Sequence, residues 1–164
     1  MQYVHVARLS ERELAAVVAL ERQIYPPDSQ EPESLIKARL CHEDEHYSSL
    51  NLGLFADDKL VGYVLAHLDD GSEFRAYAIG DNVYIADMAI LPEYRRHLIR
   101  LLAALGREVR IEYPGIPVVA HSIHDTSGLW QRHAAVLQRL GGKMNTKIEN
   151  VTTTAGASAS LVVW

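Results

Sequence analysis

From Val83 to Leu91 the chain reads VYIADMAIL, β-branched, aromatic or aliphatic throughout except for Asp87, and Pro92 follows directly. A short apolar run of this kind suits a central strand covered on both faces. Pro92 has no N–H for a ladder and ends the strand. Beyond it, Leu98, Leu101, Leu102, Leu105 and Val109 recur at three- and four-residue steps, while Arg100, Arg107, Glu108 and Arg110 fall mostly elsewhere. The spacing predicts an amphipathic helix from about Tyr94 to Glu112. A buried strand therefore runs into a helix whose first turn carries Arg95, Arg96 and His97. Free N–H groups and the positive end of the dipole make such a turn an anion site, with phosphate the natural guest. The same cations also read as a solvated helix face.

The rest of the chain sets bounds on the fold. Its 164 residues, 48% hydrophobic and 23% charged, suit a soluble protein with one real core, here read as a single domain over 1–164. A net charge of −5 argues against general nucleic-acid binding, which leaves a basic footprint. Cys41 is alone, so no internal disulfide is expected. The opening MQYVHVARLSERE has neither a charged leader nor an apolar core, and no apolar run is long enough to span a bilayer. A cytoplasmic location is the default expectation, with no membrane partner.

Local signals fill in the order of elements. Met1 to Arg8 alternates as a strand, and Ser10 and Glu13 form a capping box for a helix to about Gln23, stopped by Pro26 and Pro27. Pro32 fits the first turn of a second helix running to about His42. Leu50–Ala56 and Lys59–Leu68 read as an antiparallel hairpin turning at Asp57 and Asp58, with Gly62 marking a bulge or a close backbone approach. After the central strand and helix, Pro117 to Ile123 reads as a fifth strand. Asp125, Thr126 or Ser127 caps a helix ended by Gly141 and Gly142, and Met144 to Trp164 reads as a hairpin. The order is β-α-α-β-β-β-α-β-α-β-β.

At the central motif the residues Met88, Ala89, Ile90, Leu91, Pro92, Glu93, Tyr94 and Arg95 resemble the strand-four and helix-three signature of the GNAT N-acetyltransferases, close to hydrophobic-Ala-Val-x-Pro-Glu-Tyr-Arg-Gly-x-Gly-x-Gly. Arg139-Leu140-Gly141-Gly142 is similar to that family's Lys-Leu-Gly-Phe, and the element order is the same, so the resemblance covers the whole chain. It implies an α/β (α+β) fold with a mixed, mostly antiparallel sheet flanked by helices, strands four and five splaying apart. It also implies acetyl-CoA as co-substrate and an N-acyltransferase activity on an amine: a lysine side chain, a peptide N-terminus or a small amine. Cofactor contacts would fall on Met88, Ala89 and Ile90 for the pantetheine and thioester, and on Arg95, Arg96, His97, Leu98, Ile99 and Arg100 for the pyrophosphate. Both loop glycines of the family are replaced here, by Leu98 and Arg100. A retained grip would come from charge-assisted bonds of Arg96 or Arg100.

The transfer needs a base for the attacking ammonium. Asp87 is the sole carboxylate of its strand, where burial would raise its pKa; it reads equally as a structural Asp bonded to backbone. The family's helix-four tyrosine, the acid toward the thiolate, matches Leu137, which cannot serve. Tyr84, His124 or His133 could substitute, against packing or surface roles for each. The pairs His42–His46 and His121–His124 lack further ligands, so no metal is assigned. Asp28, Glu31, Glu33, Asp69, Asp70, Glu73 and Asp81 lie in loops that border the family's acceptor, which favours a cationic partner, although solvated loops carry such charges too. A homodimer stays open. The alternative is a weak or inactive protein of this fold that works by binding a protein or ligand.

Overall fold

The computed structural model describes residues 3–41, 50–72, 80–122, 134–140, 147–152 and 158–164. Within them run β1 (Val4–Arg8), α1 (Leu14–Ile24), α2 (Glu33–Cys41), β2 (Leu52–Ala56), β3 (Lys59–Asp69), β4 (Asn82–Ile90), α3 (Leu98–Glu112), β5 (Val118–Ser122), α4 (Ala134–Leu140), β6 (Lys147–Thr152) and β7 (Ser158–Val163). The strands form one sheet in the order β1-β2-β3-β4-β5-β7-β6. Every pairing is antiparallel except β4 with β5. This is the expected element order and fold class.

The local chemistry accounts for the ends of these elements. Ser10 and Glu13 form the expected capping box, but the first turn it caps is a 3-10 turn, Glu11–Glu13, and α1 starts only at Leu14. Pro32 opens the second helix by accepting from the N–H groups of Leu35 and Ile36. At the β2–β3 turn Asp57 and Asp58 both have positive φ, 46° and 66°, the handedness that matches strand twist in a tight hairpin. The expectation at Gly62 holds in both senses. It lies beside the register shift between β2 and β3, and a Cβ there would stand 2.9 Å from Cγ1 of Ile90 and 3.2 Å from the carbonyl oxygen of Ala89.

Two apolar layers enclose the sheet. Leu98, Leu101, Leu102, Leu105 and Val109 of α3 pack with Val64, Val83, Ile85 and Val118 on one face. Val17 and Leu20 of α1 and Ile36 and Leu40 of α2 pack with Tyr63, Leu65 and Ala89 on the other. The helix expected from Tyr94 is corrected here: Pro92–His97 is a 3-10 turn, and the α-helix begins at Leu98. The expected cap at Asp125–Ser127 and the stop at Gly141-Gly142 lie outside the described residues. No described helix is long and apolar enough to cross a membrane.

Candidate active site

The site begins with one extra residue in β4. Leu65 pairs with Asp87, but Ala66 pairs with Ile85, so Ala86 has no partner on β3. Such a bulge shifts the alternation of faces by one residue. Val83 and Ile85 face α3 before it; after it Met88 and Ile90 do, while Asp87 and Ala89 turn toward α1 and α2. In regular alternation with Val83 and Ile85, Asp87 would point into the α3 layer; the extra residue turns it to the other face.

β5 pairs with β4 only at Val83, Tyr84 and Ile85, so the strands part just before Asp87, as expected of strands four and five. The Leu91 N–H donates to the Val61 carbonyl on β3. Alternation along an antiparallel ladder then aims the N–H and C=O groups of Ala89 at β3, and those of Met88 and Ile90 away from it, into the gap left by β5. The Met88 carbonyl accepts from the hydroxyl of Tyr25, at the end of α1.

Asp87 is 9% exposed and accepts at Oδ2 from the Tyr63 hydroxyl, 2.7 Å away. Burial raises its pKa from 3.8 to about 6; the Tyr63 bond and Arg39 oppose the rise, and the carboxylates of Glu21 and Glu31 add to it. Burial and the charge on Asp87 drive the Tyr63 and Tyr25 hydroxyls far up, so both remain donors. Glu21 is fully buried on α1. Its Oε1 accepts from the Glu31 N–H at 2.6 Å, and its Oε2 lies 3.0 Å from Nη1 of Arg22, whose Nη2 donates to the Glu31 carbonyl. Both backbone groups of Glu31 are thus clamped to α1. Gln30 closes the same loop by donating from Nε2 to the Tyr25 carbonyl at 2.8 Å. Arg39 on α2 reaches the Glu31 carboxylate at 3.6 Å.

The cationic turn lies further along β4. Arg95, Arg96 and Arg100 are exposed, and Nε of Arg96 donates to Nε2 of His97 at 3.1 Å. Partial burial and the neighbouring Arg96 and Arg100 charges lower the His97 pKa, which leaves positive charge to the guanidinium groups at neutral pH. Leu98 does not join this turn. Its side chain is 3% exposed in the α3 layer, and its N–H is taken by the Arg95 carbonyl. Ile99 is half-buried against the same layer.

The sequence-predicted residues therefore separate. Asp87, Met88, Ala89 and Ile90 sit together at the gap. Tyr84 is not with them: it lies in the part of β4 still paired to β5, packed on Val119 and Leu161 and edge-on to His67 at 5.6 Å. His124 and His133 lie outside the described residues. In the acidic loops, Asp69 accepts from the Gly71 N–H and from Asn82, and Asp70 from the Ser72 N–H, so these carboxylates shape a turn; Glu73 is outside the described residues. Sequence reasoning missed Glu21, Tyr25 and Tyr63. The only local hint was Tyr25 standing before two prolines.

Residues 14–109 match the family model described as Acetyltransferase (GNAT) family. The sequence matches no curated protein. Its fold is similar to the ribosomal-protein-S18-alanine N-acetyltransferase from Escherichia coli, at TM-score 0.64 and 16% identity over 98% of this chain and 92% of that one. It is likewise similar to Arabidopsis thaliana NAA60 in complex with acetyl-CoA, at TM-score 0.67 and 16% identity over 99% of both chains. A Drosophila melanogaster polyamine N-acetyltransferase gives TM-score 0.66 at 15% identity, again over 99% of both.

Proposed function

Because the chain belongs to the acetyltransferase (GNAT) family, we propose that it moves an acetyl group from acetyl-CoA to an amine, with Asp87 as the base. The observation that carries this reading is the position of Asp87: a buried carboxylate, its pKa raised to about 6, beside the gap between β4 and β5. A base with a pKa near the working pH is ionised when the acceptor arrives, yet basic enough to take a proton.

In the reaction Asp87 takes one proton from the ammonium, directly or through water. The freed amine forms a C–N bond at the thioester carbon, and the C–S bond breaks. The second proton leaves nitrogen as the amide forms, and the thiolate becomes a thiol, so one proton is released overall. The Met88 and Ile90 backbone groups would orient the pantetheine and thioester in the gap. Arg95, Arg96 and Arg100 would hold the phosphates through charge-assisted bonds. Backbone amides contribute less at Leu98, whose N–H is already used. Asp28 and Glu31 between α1 and α2, Glu33 at the start of α2 and Asp81 ahead of β4 favour a cationic acceptor: a lysine side chain, a peptide N-terminus or a small amine.

The test is release of free thiol from acetyl-CoA with polyamine and peptide acceptors, comparing wild type with Asp87→Asn. Asn retains the size and a hydrogen-bond acceptor, so turnover should fall about 10²–10⁴-fold while acetyl-CoA binding survives. A loss below about threefold would assign Asp87 to structure. A wild type that binds no acetyl-CoA by calorimetry would favour a ligand-binding protein of the same fold.

A further inference from the structure

Asp87 is not an isolated carboxylate. Tyr63 of β3 occupies its Oδ2 at 2.7 Å, which leaves Oδ1 for a water or an ammonium. From the end of α1, Tyr25 donates its hydroxyl to the carbonyl of Met88, next to Asp87, and its N–H to the carbonyl of the fully buried Glu21 one turn earlier, so this end of α1 lies against β4; the charges of Glu21, Glu31 and Arg39 all act on Asp87. No hydrogen bond joins Glu21 to Asp87. Its two oxygens are committed to the Glu31 N–H and to Arg22. A fully buried carboxylate is costly unless its bonds are complete. Here they hold it where its charge acts on Asp87 through low-dielectric protein.

We propose that Asp87 works as one member of a buried unit in which Tyr63 fixes one of its oxygens and Glu21 sets a like charge beside it, both being positioning residues for acetyl transfer. The inference rests on the reading of Asp87 as the base. The two neighbours act in opposite senses. Tyr63 donates to the ionised form of Asp87 and stabilises it, whereas Glu21 repels that form. Together they keep Asp87 basic enough to accept a proton without leaving it protonated at neutral pH.

The test reads Asp87 directly. The ¹³C resonance of its carboxyl is followed through a pH titration of the whole protein, for wild type, Tyr63→Phe and Glu21→Gln, beside the pH–rate profile of each. Glutamine keeps an acceptor for the Glu31 N–H, and phenylalanine keeps the ring. The Asp87 midpoint should rise in Tyr63→Phe and fall in Glu21→Gln, each ionisation constant changing by roughly tenfold, and the acid limb of the rate should follow. Midpoints that stay put, or move in the same direction, overturn the proposal; an acid limb near pH 6 that Asp87→Asn abolishes would still uphold the base. Midpoints that split while the rates do not follow overturn the base and the positioning roles together. If Tyr63→Phe does not fold, ring-difluorinated tyrosine at position 63 keeps ring and hydroxyl as a stronger donor. Its midpoint should then fall, and an unmoved one overturns the role of Tyr63.

Discussion

The hydroxyl of Tyr25 donates to the carbonyl of Met88 and so fastens the end of α1 to the stretch of β4 that β5 has left. Tyr25→Phe removes the donor and leaves a part-buried carbonyl short of one bond. The expected cost is about 1–3 kcal/mol, seen as a fall in Tm of about 2–4 °C per kcal/mol for a chain of this size. An unchanged Tm in a thermal melt would mean that water replaces the hydroxyl at no cost.

Asp87 makes stability depend on pH in a direction opposite to that of most carboxylates. Between 3.8 and about 6 the folded protein keeps a proton that the unfolded chain has lost, so stability falls as pH rises through that window. Above the window the deficit is on the order of 3 kcal/mol. Asp87→Asn removes the buried charge, so it should raise Tm at about pH 7.5 and have little effect near pH 4. Equal effects at both values would show that ionisation of Asp87 costs the fold nothing.

The cationic turn and Leu98 should separate cleanly. Arg96→Ala and Arg100→Ala are expected to weaken acetyl-CoA binding by about 1–3 kcal/mol each with little change in Tm. Leu98→Ala should cost about 2–5 kcal/mol of stability, as for other buried leucines, and should not tighten binding. Calorimetry beside thermal melts distinguishes the two classes, and tighter binding in the leucine variant would contradict its place in the core.

Gly62→Ala tests how close β3 and β4 must run. The added Cβ meets Ile90 and the Ala89 carbonyl, so β4 must shift at the gap. Destabilisation of about 1–3 kcal/mol is expected, with a further loss in turnover because Met88 and Ile90 move with the strand. Wild-type stability and turnover would show that Ile90 alone yields.

Local signals in the sequence carried most of this architecture. β4 was legible because its apolar run is continuous, α3 because its leucines keep helical spacing, and the β2–β3 hairpin because two aspartates interrupt two apolar runs. Asp87 was legible as the lone charge in an apolar strand. Its neighbours were not. Tyr63 looks like any other strand aromatic and meets Asp87 only through the register of β3 on β4. Glu21, beside Arg22, reads as part of a polar helix face, whereas in the fold it is buried and bonded to the Glu31 N–H as the chain returns. Leu98 carried two conflicting signals, a place in the leucine stripe and a place in the loop pattern. Packing against Leu101 and Leu102 decided between them.

The unpaired Ala86 also makes β4 unequal in its tolerance to change. Substitution at most positions of the strand alters one contact and leaves the rest in phase. Deleting a single codon at Ala86 would leave a regular ladder with Asp87 still opposite Leu65 and on the face of Tyr63, whereas deleting Met88 has no such slack to draw on and would exchange the faces of Ala89 and Ile90. β4 therefore tolerates the loss of a residue ahead of Asp87, where the bulge takes up the slack, and not beyond it, where residue count alone fixes which groups face the gap.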